Sequence, residues 1–491
     1  MIFKNIILLY FLFIRLSISG ELKSINRHEQ VHLSLAKNPR MMVVSWTTFY
    51  DLSHYRRKPM VRYGTVKSYT IRIKSGFTKK LKEPKNPNII RYFHTVYLKN
   101  LYYNRMYYYK VGDGKTWSKQ FYFRTFKQGS NFRIKFCVLG DMDTGKLYTI
   151  KKLTKAAKDG TCQLVIHVGD IAYQLQKDNG FVGDEFMNRI EPIAAYIPYM
   201  VIEGNHEFDC KGFSHYEYRF AMPLDKNNVK KIDHFYSFKL GLVNFIALST
   251  EIYGFYTVYG PNPIKRQSRW LEKTLKKIQM SRKERPWVIP YFHRPIYYWH
   301  KKITGECNEY ESTTIRIGYK DVPGLEDYFY KNNVDLVFHA HEHGYERHYP
   351  IYNRTMYKYS NNIYYNPPAP TYILTGAGGC KRCTPAIFNK TNESPFSAKR
   401  TIKVGYTHVN VVNRTHIKIS QISTRYNTII DSFIIIKDSG LHLDKSKRPK
   451  KIYVPYKGPQ EYQYFDNPKI VKSCVKYYNI SLFIDSINDI R

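Results

Sequence analysis

Five short clusters rich in histidine, aspartate and asparagine stand along the chain. They are Gly140-Asp141-Met142-Asp143, Gly169-Asp170-Ile171-Ala172-Tyr173, Gly204-Asn205-His206-Glu207, Phe292-His293-Arg294-Pro295 and His339-Ala340-His341-Glu342-His343. Asp141 and Asp170 offer carboxylates, Tyr173 a phenolate, Asn205 an amide oxygen, and His293, His341 and His343 imidazoles. Mixed oxygen and nitrogen donors in this number suit two cations. Two cations about 3.5 to 4 Å apart can clamp a phosphoryl group and activate a water, and a bridging carboxylate holds that spacing. Thiolate is absent from the set, which argues against a structural zinc site. A lone histidine, Gly-Asp pair or His-x-His says little; five ordered clusters say much more.

Each cluster directly follows an apolar run: FRIKFCVL, QLVIHV, YMVI, WVIPYF and VDLVF. These runs are short and rich in β-branched and aromatic residues, and they read as buried parallel strands. In an open α/β sheet ligands gather beyond the carboxyl ends of the strands, so strands that all end on donors deliver them to one place. His341 and His343 are two apart, which predicts an extended or turning backbone there rather than a helix. From Glu21 to Phe126 the pattern changes to period-two alternation in VHLSL, MVVSW, HTVYL, YYYKV and FYFRT, which predicts an all-β sandwich. That region holds no donor cluster, so packing and positioning are its expected tasks. After the last cluster, TYILTGAG, HVNVV, HIKISQI and FIIIKD are expected to complete a second sheet of the catalytic sandwich.

The five clusters, with RFAMP at Arg219, PGLEDYFY at Pro323, HEHGYER at His341 and GYTHVNVVNRTH at Gly405, resemble the purple acid phosphatases within the calcineurin-like metallophosphoesterases. The resemblance is strongest to the animal branch and covers nearly the whole chain after the first residues. It implies an N-terminal fibronectin type III-like sandwich at 21–128 and an α/β metallophosphoesterase domain at 129–440, built from two mixed sheets flanked by helices. Carried over residue by residue, it places a ferric ion between Asp141, Asp170, Tyr173 and His343. A divalent ion, zinc, iron or manganese, falls between Asp170, Asn205, His293 and His341, with Asp170 as the bridge. His206 is then the histidine that contacts phosphate and assists the leaving group. His300 is the nearest candidate for a further substrate-contacting histidine. The implied reaction is hydrolysis of phosphate monoesters on small-molecule or protein substrates, by direct attack of metal-activated hydroxide and without a phosphoenzyme. The alternatives are a phosphodiesterase or nucleotide pyrophosphatase on the same scaffold, and a non-catalytic polyanion-binding glycoprotein.

One position departs from the family pattern: Asp143 stands where GDxG has glycine, so either a tight turn or an extra negative charge near the metals is expected. Neighbouring phosphatase classes fit less well. Serine/threonine phosphatases carry GDxxDRG where this chain has Gly169-Asp170-Ile171-Ala172-Tyr173-Gln174. Asp141-Met142-Asp143-Thr144-Gly145 reverses the last two residues of the DxDGT nucleophile motif, which would have made Asp141 a covalent phosphate carrier. Glu207 and Glu342 are candidates for orienting the histidines. Tyr345, Glu346 and Arg347 are expected to form a supporting ion pair.

At 491 residues the chain is long enough for two or three domains. Residues 1–20 contain Lys4, the apolar run IILLYFLFI and the small-residue segment SISG, a secretory leader by pattern. No later run approaches the roughly 20 apolar residues of a membrane span. A secreted protein is therefore expected. The sequons at Asn353, Asn389, Asn392, Asn413 and Asn479 agree with that. Seven cysteines leave one free or paired between chains. Cys137 and Cys162 read as buried and inert, Cys380 and Cys383 as a strained pair, as partners of other cysteines, or as reduced. The net charge of +39 favours the arrival of phosphorylated or polyanionic partners. Its densest run, Lys445 to Lys451, opens a Lys/Tyr-rich tail at 441–491 that reads as a solvated extension or an adhesive for polyanions. No nucleic-acid-binding motif is present.

Overall fold

The computed structural model describes residues 28–68, 71–145, 147–209, 212–224, 233–298, 314–319, 322–380, 395–437 and 449–454. The 1–20 leader, His300, Asn389, Asn392, Asn479, Cys383 and most of the tail lie outside the described residues.

The alternating N-terminal segments form a sandwich of two four-stranded antiparallel sheets. One is ordered Glu29–Leu35, Met42–Thr48, Ile90–Leu98, Phe77–Lys82; the other Arg72–Ser75, Met60–Gly64, Met106–Gly112, Phe121–Arg124. Inward positions bury Val44, Trp46, Val96 and Leu98 against Val61, Tyr107, Tyr109 and Phe123. Burial alternates along Met60–Gly64, Met106–Gly112 and Phe121–Arg124, as a half-solvated sheet demands, whereas Glu29–Leu35, Met42–Thr48 and Ile90–Leu98 are buried at nearly every position.

The following domain is built on two seven-stranded mixed sheets. In the first, Val165–Val168 runs parallel to both Tyr199–Ile202 and Ile134–Leu139. Gly405–Val411, His416–Ser423 and Ile429–Ile436 then extend it antiparallel, and Ile363–Tyr365 closes the edge. In the second, Trp287–Tyr291 runs parallel to Val243–Ala247 and Leu336–His339, and Leu336–His339 parallel to Thr371–Thr375. The sheets face each other through rings such as Phe136, which meets Phe245 edge-on at 5.1 Å. Helices cover the outer faces. Asn262–Met280 buries Ile264, Gln267, Ser268, Leu271, Leu275 and Ile278, a single helical stripe turned toward the second sheet.

Three expectations change. The donor-bearing strands divide three and two between the sheets, and of the later strands only Thr371–Thr375 joins the second sheet; the other three complete the first. A fully buried strand reads alike in either sheet, so its own sequence does not assign it. Cys137 and Cys162 are buried but form a disulfide, with Cα atoms 5.7 Å apart on neighbouring segments. Cys380 is also disulfide-bonded. Finally, Lys450–Tyr453, which begins at the end of the basic run, is a strand paired antiparallel with Thr355–Lys358, and Ile452 and Val454 pack on the second core.

Candidate metal centre

The five clusters meet where the carboxyl ends of strands from both sheets converge. Each chain must turn sharply just past its strand for the side chain to point into the crevice. Asp141 (φ 58°), Asp170 (φ 52°), Tyr173 (φ 53°) and His341 (φ 74°) all take the left-handed region that non-glycine residues avoid. Such backbone costs about 1–3 kcal/mol per residue and persists only where its surroundings over-determine it. Here the turns are laced together. Asp141 N–H donates to Gly169 O at 3.2 Å, Met142 N–H to Asp170 O at 3.3 Å and Ala172 N–H to Met142 O at 2.9 Å. The Glu207 carboxylate accepts the N–H of Ile171 and of Gly204, each at 2.8 Å, tying the second cluster to the third. Gly204 is glycine because a Cβ would run into Asp170 Oδ1.

All seven predicted donors come together. His293 Nε2 lies 3.2 Å from Asp170 Oδ1, 3.1 Å from Asn205 Oδ1 and 3.3 Å from His341 Nδ1. Asn205 Oδ1 is 2.9 Å from His341 Nδ1. A second group forms beside it: Tyr173 Oη lies 3.1 Å from Asp141 Oδ1 and 2.7 Å from His343 Nε2, which is 3.6 Å from Asp141 Oδ1. His206 is the most open member, with its ring centroid 4.8 Å from that of Tyr173 and Nε2 3.9 Å from Asp170 Oδ2. Its N–H donates to Asp170 Oδ1 at 3.1 Å.

The electrostatics identify what the donors are suited to hold. Burial, reinforced by the Asp170 charge, pushes Asp141 well above the ordinary carboxylate range, while His293 pulls it back. Burial also opposes the charge on Asp170, but His293 and His206 outweigh it and hold Asp170 well below that range. Burial and the Asp141 and Asp170 charges push the Tyr173 phenol well up. His293 Nδ1 faces the Val168 carbonyl at 2.8 Å, so it carries a proton and donates it there. Nε2 then presents a lone pair to acceptors on Asp170 and Asn205. Burial alone would lower the His293 pKa, yet the Asp170 and Asp141 carboxylates lift it to about 10, a second proton standing where lone pairs converge. A cation fits that point better than a proton, because it satisfies several donors at once. Asp170, His293 and His341 alone bring ligand atoms within 4.8 Å of one another.

Several residues differ from their sequence reading. Glu207 grips backbone N–H groups rather than a histidine. Its place three residues after Gly204, the position from which a helix-capping carboxylate reaches back, is the signal that could have shown this. Asp143 Oδ1 accepts the Gly145 N–H at 2.6 Å, so a tight turn is what the departure from glycine produces. Tyr345 and Arg347 are joined through Asp431, at 2.8 and 2.7 Å, and not through Glu346. His339 is buried against Phe292, away from the donors. Gln176, which donates to the carbonyls of His206 and Phe208 at 3.3 and 3.0 Å, carries no sequence signal at all.

Two mixed sheets whose parallel strands deliver such donors to one crevice define a two-metal phosphoesterase class, and residues 134–345 match the family model described as calcineurin-like phosphoesterase. Residues 28–125 match the purple acid phosphatase N-terminal domain and residues 369–432 the iron/zinc purple acid phosphatase-like protein C. The chain is 38% identical over 416 residues to acid phosphatase type 7 of Homo sapiens, covering 83% of this chain and 91% of that protein. It is 36% identical over 414 residues to its counterpart in Mus musculus, with 83% and 91% covered. The fold matches the purple acid phosphatase PPD1 from Lupinus luteus seeds with a TM-score of 0.69 at 23% identity, covering 84% of this chain and 75% of that one. The chain belongs to the purple acid phosphatase family, and its class is that of metal-dependent acid phosphatases.

Proposed function

We propose that this protein hydrolyses phosphate monoesters in an extracellular compartment, using a ferric ion held by Asp141, Asp170, Tyr173 and His343 and a divalent ion held by Asp170, Asn205, His293 and His341. The observation that carries this is the separation of the donors into two groups, the phenol-bearing one beside Asp141 and the amide- and imidazole-bearing one beside His293. When bound, such ions supply Lewis acidity to a phosphoryl oxygen and lower the pKa of the attacking water. The chain's own residues do the rest. The buried carboxylates of Asp141 and Asp170 fix where positive charge sits, and His293 is aimed by its Nδ1–H bond to Val168 O. His206 stands at the open side, its backbone clamped by Asp170 Oδ1 and Gln176, so its imidazole can meet a phosphate oxygen and hand a proton to the departing alkoxide.

Secretion is part of this reading, supported by the leader pattern and by the Cys137–Cys162 disulfide, a bond that persists in oxidising compartments. Exposed Asn353 and Asn413 remain available as glycosylation sites. No described helix is long and apolar enough to cross a membrane.

The test is His206→Ala. Turnover of monoesters should fall about 100- to 10,000-fold, most for poor leaving groups, with both metals retained. Loss of a metal would make His206 a ligand and overturn its role. Preferential turnover of diesters or nucleotide pyrophosphates by the unaltered protein would overturn the substrate class.

A further inference from the structure

The strongest unassigned feature is the outer face of the sheet Arg72–Ser75, Met60–Gly64, Met106–Gly112, Phe121–Arg124. Alternation turns Val61, Tyr63, Tyr107, Tyr109, Phe121 and Phe123 inward, leaving every second residue outside. Register then sets these outer residues in rows. Ile73 lies opposite Arg62, which lies opposite Lys110; Tyr108 lies opposite Tyr122, and Met106 opposite Arg124. The four strands contain no aspartate or glutamate. Solvated sheet faces normally mix charges of both signs, since like charges in neighbouring rows repel. Arg62 lies 4.6 Å over the Trp117 ring, and Ile73 is 61% exposed.

The face runs directly into a cleft of about 280 Å³ between the two domains, whose walls include Met106, Tyr122 and Arg124. Its remaining cations are Lys127, Arg133 and Lys158, and among the described residues no carboxylate lines it. Among the described residues, none of Arg62, Lys110, Lys127 and Lys158 has a carboxylate partner within ion-pair distance. The surface thus presents an unneutralised basic track with aromatic rings set along it, about 14 Å across the sheet alone at the usual strand spacing.

We infer that this track binds an acidic, sulfated polysaccharide chain. Cations on alternate rows, Arg62 with Lys110 and then Arg124 beyond the tyrosine row, match a polymer with spaced anionic groups, while tyrosine rings and hydroxyls between them suit the apolar faces and hydroxyls of sugars. A single-stranded nucleic acid is the other polyanion to consider, but base stacking needs rings that can be interleaved in series. Here Tyr108 and Tyr122 are inclined at 57°, and Tyr122 and Tyr196 at 66°, while Arg62 already covers Trp117. The assignment does not depend on the metal centre, and it differs from adhesion through the basic tail because it lies on the N-terminal sandwich.

The test uses the full chain and a heparin octasaccharide at about 0.15 M salt, near the ionic strength where only several concerted contacts survive screening. Arg62→Ser/Lys110→Ser/Arg124→Ser should weaken binding at least tenfold and reduce the slope of log affinity against log salt by roughly one per cation removed. Monoester turnover should be unchanged. The exposed cleft pair Lys127→Gln/Lys158→Gln provides a second variant that places no demand on sheet folding, and should weaken binding severalfold. Wild-type affinity in both variants would overturn the proposal. Tighter binding of polyuridylate than of the octasaccharide, lost in the same variants, would overturn the polysaccharide assignment. Equal binding of a desulfated octasaccharide would remove the role given to the cations.

Discussion

At the scale of single residues, the donors were legible because metal chemistry restricts which side chains can serve, and because each follows an apolar strand. Asp141, Asp170, Tyr173, Asn205, His293, His341 and His343 are all brought to one crevice. What supports them was not legible. Glu207 is one acid among 39 acidic residues until the fold shows its oxygens on the N–H groups of Ile171 and Gly204. Burial and the adjacent Asp170 charge push its pKa well up, and the two N–H donors resist that. Glu207→Gln keeps the shape but sets an amide N–H against a backbone N–H. The strained turn at Asp170 then loses its brace, and metal affinity should fall about 10- to 100-fold. Metal retained after dialysis against a chelator measures this; retention equal to the unaltered protein would show that the turn holds without the clamp.

The N-terminal strands were legible because their apolar residues alternate. The Asn262–Met280 helix was not read from the sequence, although its buried residues form a single helical stripe. Partnering between elements was less legible, because pairing depends on residues distant in sequence. Lys450–Tyr453 shows this well: a run of lysines and arginines reads as solvent-exposed, yet Ile452 and Val454 pack toward the core while Lys450 and Lys451 stay exposed. Arg354 and Val454 close the pairing through Val454 N–H to Arg354 O and Arg354 Nε to Val454 O, both at 3.0 Å. Truncation after Asp444 should therefore lower the melting temperature by several degrees, corresponding to a loss of about 1–3 kcal/mol for two apolar side chains and their strand. Truncation after Val454 keeps the strand and should retain those degrees. Thermal unfolding of the two truncated proteins decides it, and equal melting temperatures would detach the strand from the folded domain.

At the scale of the whole molecule, the sandwich is bolted to the metal-bearing domain by buried charge. Arg91 of the sandwich is fully buried; it donates to Glu83 and, through Nε at 2.8 Å, to Asp184 across the domain boundary. Asp184 also accepts Arg219 at 2.9 Å, and Arg219 donates to Gly180 O at 3.0 Å, at the end of the loop that begins with Tyr173. The expectation that the sandwich positions the site therefore has a physical path, although Arg91 itself, in the run IIRYFH, gave no sign of it. Arg91→Ala leaves Glu83 and Asp184 short of a partner and should cost about 3–5 kcal/mol. Calorimetry should then resolve two transitions in place of one cooperative event; a single unshifted transition would mean the domains are joined by their apolar contacts alone.

An iron-plus-divalent centre with Tyr173 as phenolate ligand is tested by metal content together with the visible spectrum of the oxidised protein. One iron and one divalent ion per chain and a visible charge-transfer band are expected. In Tyr173→Phe that band should disappear while both metals and the fold remain. A colourless, fully active protein that contains only divalent metal would contradict it.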